Sequence, residues 1–128
     1  MVVSPDRLVQ IVGYGDHPHR KSIEDFFNDN NRSTVTVYRY SNSTKAEQAA
    51  DWAEWYRRNY SDAEYGFNDL YDYESGLMYC SKLVWDAYYY GAGVSLATSW
   101  GTIGGYNLKM SKPYDLPNSA NVRAVYTR

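Results

Sequence analysis

The sequence predicts an α+β domain, and three stretches carry that prediction. Thr34 to Tyr40, TVTVYRY, alternates β-branched and aromatic residues with polar ones, the two-residue period of a half-buried strand. Thr44-Lys45-Ala46-Glu47 has the S/T-x-x-E form of a capping box, and Ala46, Ala49, Ala50, Ala53, Tyr56 and Tyr60 follow at helical spacing, so a helix is expected from Lys45 to Asn59. From Cys80 the stripe Cys80, Leu83, Val84, Ala87, Tyr88 and Gly91 keeps the 3.6-residue period, and Gly91 and Gly93 end it.

The remaining elements follow in order. Val2-Val3, then Ser4-Pro5-Asp6-Arg7, then Leu8 to Val12 read as strand, tight turn and strand, because Pro presets the turn dihedral and Asp bonds its own backbone. If Ser4 faces Arg7, then Val3 faces Leu8 and Met1 faces Gln10. Gly13 to Arg20, GYGDHPHR, holds both histidines and reads as a loop. Ser22 caps a short helix from Ile23 to Asn28, with Glu24 and Asp25 in its first turn where the dipole favours negative charge. Tyr60 to Gly76 is aperiodic and reads as a covering loop, and Gly101 to Gly105 reads as a flexible one. Lys112 to Pro117 is a turn, and Asn121 to Thr127 a final strand.

The whole, residues 1 to 128, is expected to form one domain, long enough to bury a core without staples. A formal charge of -2 with dispersed Lys and Arg argues against a nucleic acid or an anionic membrane surface as partner. No apolar run has the length of a membrane span, and no export signal opens the chain. The 15 tyrosines and four tryptophans supply apolar faces with polar tips, suited to a core or to contact with sugars and peptides.

Cys80 is the only cysteine. An unmodified cysteine on an apolar stripe packs as a small hydrophobe. At a helix N-terminus, however, free backbone N–H groups stabilise a thiolate and can hold the oxyanion of an attacked carbonyl. Tyr79 to Gly93, YCSKLVWDAYYYGAG, resembles the nucleophile helix of the permuted NlpC-type papain-like cysteine hydrolases, in their YiiX-like branch. VVSPDRLVQIVG, KSIEDFF, TVTVYRY, TKAEQAADWAEWYRRN and the closing SKPYDLPNSANVRAVY follow in the order of that family's elements.

The resemblance implies an antiparallel sheet packed against the nucleophile helix and a second long helix. It implies Cys80 as nucleophile, with Tyr79 and the Cys80 backbone N–H as oxyanion stabilisers and Gln10 as the polar residue that orients an imidazole. The family's base histidine falls at the head of the first strand, where this chain has Met1. Three alternatives stand open: the base precedes Met1, it comes from His17 or His19, or activity has been lost. Asp16-x-x-His19 is too small a ligand set for a metal, and no cofactor is expected. The implied substrate is an amide in a peptidoglycan stem or similar peptide, or a lipid ester in a thiol esterase or acyltransferase. In a non-catalytic module, Tyr65, Phe67, Tyr71, Tyr73 and Tyr106 would instead grip a glycan or peptide. A partner-binding fragment is the third reading.

Overall fold

The computed structural model describes all 128 residues. The opening turn residues close the expected hairpin, β1 (Val2–Ser4) against β2 (Arg7–Gln10). Ser4 faces Arg7, but Val2 rather than Val3 faces Leu8. An irregularity between Val2 and Ser4 absorbs one residue, so Met1 exchanges two 2.8 Å backbone bonds with Val9 instead of facing Gln10.

Part of the expected histidine loop is a strand. β3 (His19–Ser22) runs antiparallel to β2, with Gln10 opposite His19 and Arg7 opposite Ser22. Its sequence, HRKS, has no apolar alternation, because it is a polar strand whose position is set by its partner. Ser22 then caps α1 (Ile23–Asp29), its Oγ accepting from the Asp25 N–H at 3.0 Å. None of the residues of α1 is buried.

β4 (Thr36–Tyr40) pairs antiparallel with the last strand, β9 (Val122–Thr127), from Thr36 opposite Thr127 to Tyr40 opposite Val122. α2 (Ser43–Asn59) starts earlier than the capping box implies. Its cap is Asn42, whose side chain accepts from the Lys45 N–H at 3.1 Å, an equally favourable N-cap residue. Ala49, Ala50, Ala53 and Tyr56 form its buried face, as their spacing predicts.

The segment read as a covering loop contributes β5 (Glu64–Tyr65), which pairs in parallel with β6 (Leu77–Met78). The chain enters α3 (Cys80–Asp86) directly after β6 and continues into one π-helical segment, Ala87–Gly91, which packs on α2. The stretch read as a flexible glycine loop is a hairpin of β7 (Ser99–Ile103) and β8 (Tyr106–Met110). Gly104 and Gly105, at φ 57° and 83°, make the two-residue turn whose handedness matches strand twist. A short 3-10 turn, Leu116–Asn118, leads to β9.

The result is a small mixed α/β fold with three helices and four separate small sheets, three antiparallel and one parallel. The central core joins Val9 and Ile11 of the first sheet's side to Tyr56, Ala63, Met78 and Leu83. A second cluster, Leu70, Trp85 and Leu96, lies on the far side of α3, where the Trp85 ring N–H donates to the Leu96 carbonyl at 2.9 Å. No helix is long and apolar enough to cross a membrane.

Candidate active site around Cys80

α3 begins where two buried residues, Met78 and Tyr79, pin the chain in the core. Tyr79 occupies the N-cap position with an extended backbone, and no side chain caps the helix. The first turn therefore keeps unpaired N–H groups at Cys80. Ser81 ties the same turn down, its hydroxyl donating to the Ser111 carbonyl at 2.5 Å. Ser111 also donates from its N–H to the Tyr79 hydroxyl at 3.3 Å and from its own hydroxyl to the Ala97 carbonyl at 3.2 Å.

Cys80 is a free, half-buried thiol at the side of a cavity of about 370 Å³. Seven of that cavity's ten lining residues are apolar, and the walls come from Met1, Val9, Ile11 and Val12 on one side and Pro113 and Leu116 on the other. The stripe read from the sequence as α3's inner face is thus divided. Leu83 and Ala87 are buried, whereas Cys80 and Val84 face the cavity.

Tyr65 is the residue that sequence reasoning placed only on an aromatic rim. It lies beside Cys80, and burial, then the Cys80 charge, push the Tyr65 hydroxyl above its usual range. Two backbone bonds place it: the Glu64 N–H donates to the Gly76 carbonyl at 2.9 Å and the Gly66 N–H to the Met78 carbonyl at 3.0 Å. The only local signal was Gly66, where an added Cβ would lie 3.0 Å from Leu77 Cδ2. Tyr14 and Phe67 pack edge-on to Tyr65 at 5.3 and 5.9 Å between centroids.

The other residues of the expected rim scatter. Tyr71 packs against Trp85 and Tyr89, Tyr73 joins Trp52, Trp55 and Tyr56 of α2, Tyr60 just beyond it and Tyr90 of the π-helical segment, and Tyr106 is exposed at the hairpin tip.

Gln10 and His19 do meet. The Gln10 Nε2 donates to His19 Nε2 at 3.1 Å, which leaves the proton of a neutral imidazole on Nδ1, within 2.9 Å of the His17 carbonyl and 3.2 Å of an Asp16 carboxylate oxygen. Gln10 also lines the Cys80 cavity. His17 is exposed, and its Nδ1 donates to the Ala63 carbonyl at 2.9 Å. Neither imidazole bonds to the sulfur or lines its cavity. Tyr79 is held by Ser111, and burial pushes its hydroxyl up to about 12.

Behind Cys80 the same helix buries two charged residue types. Lys82 donates to the carbonyls of Asp72 at 2.8 Å and Leu77 at 3.3 Å. Asp86, one turn on, has no hydrogen bond to either carboxylate oxygen, and burial pushes it up to about 8 against the opposing pull of Lys82. The buried Tyr56 hydroxyl is also without a partner.

A lone thiol at an uncapped helix start, within an apolar crevice of a small mixed α/β fold, defines a thiol-bearing protein suited to apolar groups. A family model described as lipoprotein N-acylation protein LnsA-like matches residues 1–119, and the chain belongs to that family. No curated protein and no solved structure matches it. The resemblance to YiiX-like NlpC-type papain-like hydrolases is corrected accordingly, and with it the peptidoglycan peptidase or amidase activity. The stretch that carried it, a cysteine opening an apolar helix, is a pattern that any enzyme using a helix-borne thiolate requires.

Proposed function

We propose that Cys80 accepts an acyl group from a lipid ester and passes it to an amine, with residues 1–128 acting as one domain. The family bears on lipoprotein N-acylation, so the substrate is a lipid or lipoprotein. The observation that carries the reading is the apolar lining of the Cys80 crevice, which suits a fatty acyl group better than a sugar or a charged peptide.

The steps balance as two displacements. A base takes the Cys80 proton, the thiolate attacks the ester carbonyl, the C–S bond forms, the C–O bond breaks, and the alcohol leaves with the proton that the base returns. An amine then attacks the thioester, the amide forms, the C–S bond breaks, and the amine's proton goes to a base. The uncapped N–H groups at Cys80 face the developing oxyanion, and the Tyr65 hydroxyl beside the sulfur is the candidate donor to the thiolate. Of the two imidazoles only His19 is joined to a residue that lines the crevice, through Gln10, so His19 is the candidate proton acceptor once the Gln10 amide releases it. His17 is engaged with Ala63.

Incubation with a diacyl phospholipid in detergent tests the reading. Intact mass is expected to rise by one acyl group at Cys80, a gain that hydroxylamine removes and Cys80→Ala abolishes. Acylation that persists in Cys80→Ala would remove the nucleophile. His19→Ala is expected to slow acylation while His17→Ala leaves it near the parent rate. A second reading, in which the crevice holds a lipid without turnover, is favoured by the absence of an imidazole at the sulfur. It predicts lipid binding with no mass gain.

A further inference from the structure

We propose that the groove between β1 and β4 binds the acyl chain whose carbonyl reaches Cys80. This rests on the acyl-transfer reading and adds where the chain lies. The groove has a volume of about 540 Å³, and ten of its twelve lining residues are apolar. Gln10 and Thr36 are its polar members, and no charged side chain lines it. It adjoins the crevice of the thiol, for Met1, Gln10 and Val84 border both. Val84 lies four residues beyond Cys80 on the same helix face, roughly one 5.4 Å turn away.

The groove ends at α1, whose Ile23, Phe26 and Phe27 line it. Ser22 and the acidic first turn secure that helix; Phe27 packs edge-on to Tyr126 at 6.4 Å and under the Arg128 guanidinium, and none of the helix's residues is fully buried. Val2, on the opposite wall, is 52 % exposed. Leaving so much contiguous apolar surface against water is unfavourable, and such surface marks a binding site. A polymethylene chain needs contact area and no hydrogen-bond partners, and these walls supply that. The other large cavity near the first sheet, about 590 Å³, is lined by Arg7, Arg20, Lys21, Arg57 and, Pro18 apart, other polar residues, so it is unsuited to a hydrocarbon.

The test uses the full chain carrying Cys80→Ser, with cis-parinaric acid as the fluorescent probe and hexadecanoate or octanoate as competitor. Saturable binding is expected, with hexadecanoate displacing the probe at least about tenfold better than octanoate, because its extra methylenes are buried. Val2→Trp and Val37→Trp, which fill the groove away from the thiol, are expected to weaken hexadecanoate at least about tenfold while octanoate changes less. Circular dichroism and melting temperature, unchanged in these variants, show that the fold is kept.

Absence of saturable binding, equal affinity for the two acids, or Trp variants that bind like the parent would overturn the proposal. So would self-association that the Trp variants abolish, without fatty-acid binding, since the occupant would then be a second copy. Acylation of the parent chain by p-nitrophenyl acetate separates the two readings. Cys80 acylated by short and long esters at one rate leaves acyl transfer standing and removes the groove. Chain-length-dependent binding with no acylation of Cys80 supports the groove and removes acyl transfer.

Discussion

Tyr65 is the hydroxyl that the Cys80 charge pushes above its usual range, which makes it the side chain placed to donate to the sulfur. Tyr65→Phe removes the donor and keeps the ring, so alkylation of Cys80 at neutral pH is expected to slow about fivefold, the worth of one modest bond. Iodoacetamide rates against pH for parent and variant check this, and equal rates would show that the hydroxyl does not serve the sulfur. Asp86 governs a different quantity. Folded, it holds its proton up to about 8, whereas its ordinary value is 3.8. The folded state therefore binds more protons between those values, and the stabilising contribution, complete below the lower one, fades as pH rises through the upper. Asp86→Asn is expected to flatten this fall, leaving the variant favoured over the parent by about 1–3 kcal/mol at mildly alkaline pH relative to its standing at acid pH. Thermal melts across the pH range measure it, and parallel curves would mean that Lys82 keeps the carboxylate charged throughout.

Among the elements, the contact of α2 with the π-helical segment is the tightest to perturb. A Cβ on Gly91 would meet the Gln48 carbonyl oxygen and Trp52 Cβ, each at 2.8 Å. Gly91→Ala is expected to lower stability by about 1–3 kcal/mol through overpacking, read as a lower denaturation midpoint with an unchanged slope. The sequence reading took Gly91 as a helix stop, although its neighbours explain it better than its backbone does. Legibility followed how locally each element is determined. α1 carries a cap and first-turn acids, and α2 a cap signal and a 3.6-residue stripe, in their own residues, and so they could be read. β3, β5 and β6 exist because a partner strand pairs with HRKS, EY and LM, and nothing in those letters announces it. β7 and β8 were hidden by the glycines that make their turn. At the site, Cys80 at a helix start was accessible from the helical pattern, whereas Gln10 meets His19 only because β3, which the sequence does not announce, pairs with β2. Tyr65 lies 15 positions upstream across a parallel bridge, and Lys82 and Asp86 are buried although they lie off the apolar stripe, so none of the three was legible as part of the site.

For the molecule as a whole, four small sheets replace one continuous one, and stability is correspondingly uneven. The β7–β8 hairpin pairs only with itself and exposes Trp100 and Tyr106, while α2 and α3 enclose the buried core. Amide exchange is expected to run at least about tenfold faster in β7–β8 than in α2 and α3, as mass spectrometry of peptic peptides would record. Uniform protection would show that the hairpin opens only with global unfolding. The α3 start, fastened by Ser111, is where the chain's one thiol meets an apolar crevice.

A chain with one half-buried sulfur has a single way to crosslink to its twin, mouth against mouth. Oxidised dimers seen on an unreduced gel therefore report directly on how open that mouth stands, and any lipid lodged there should protect monomers from joining.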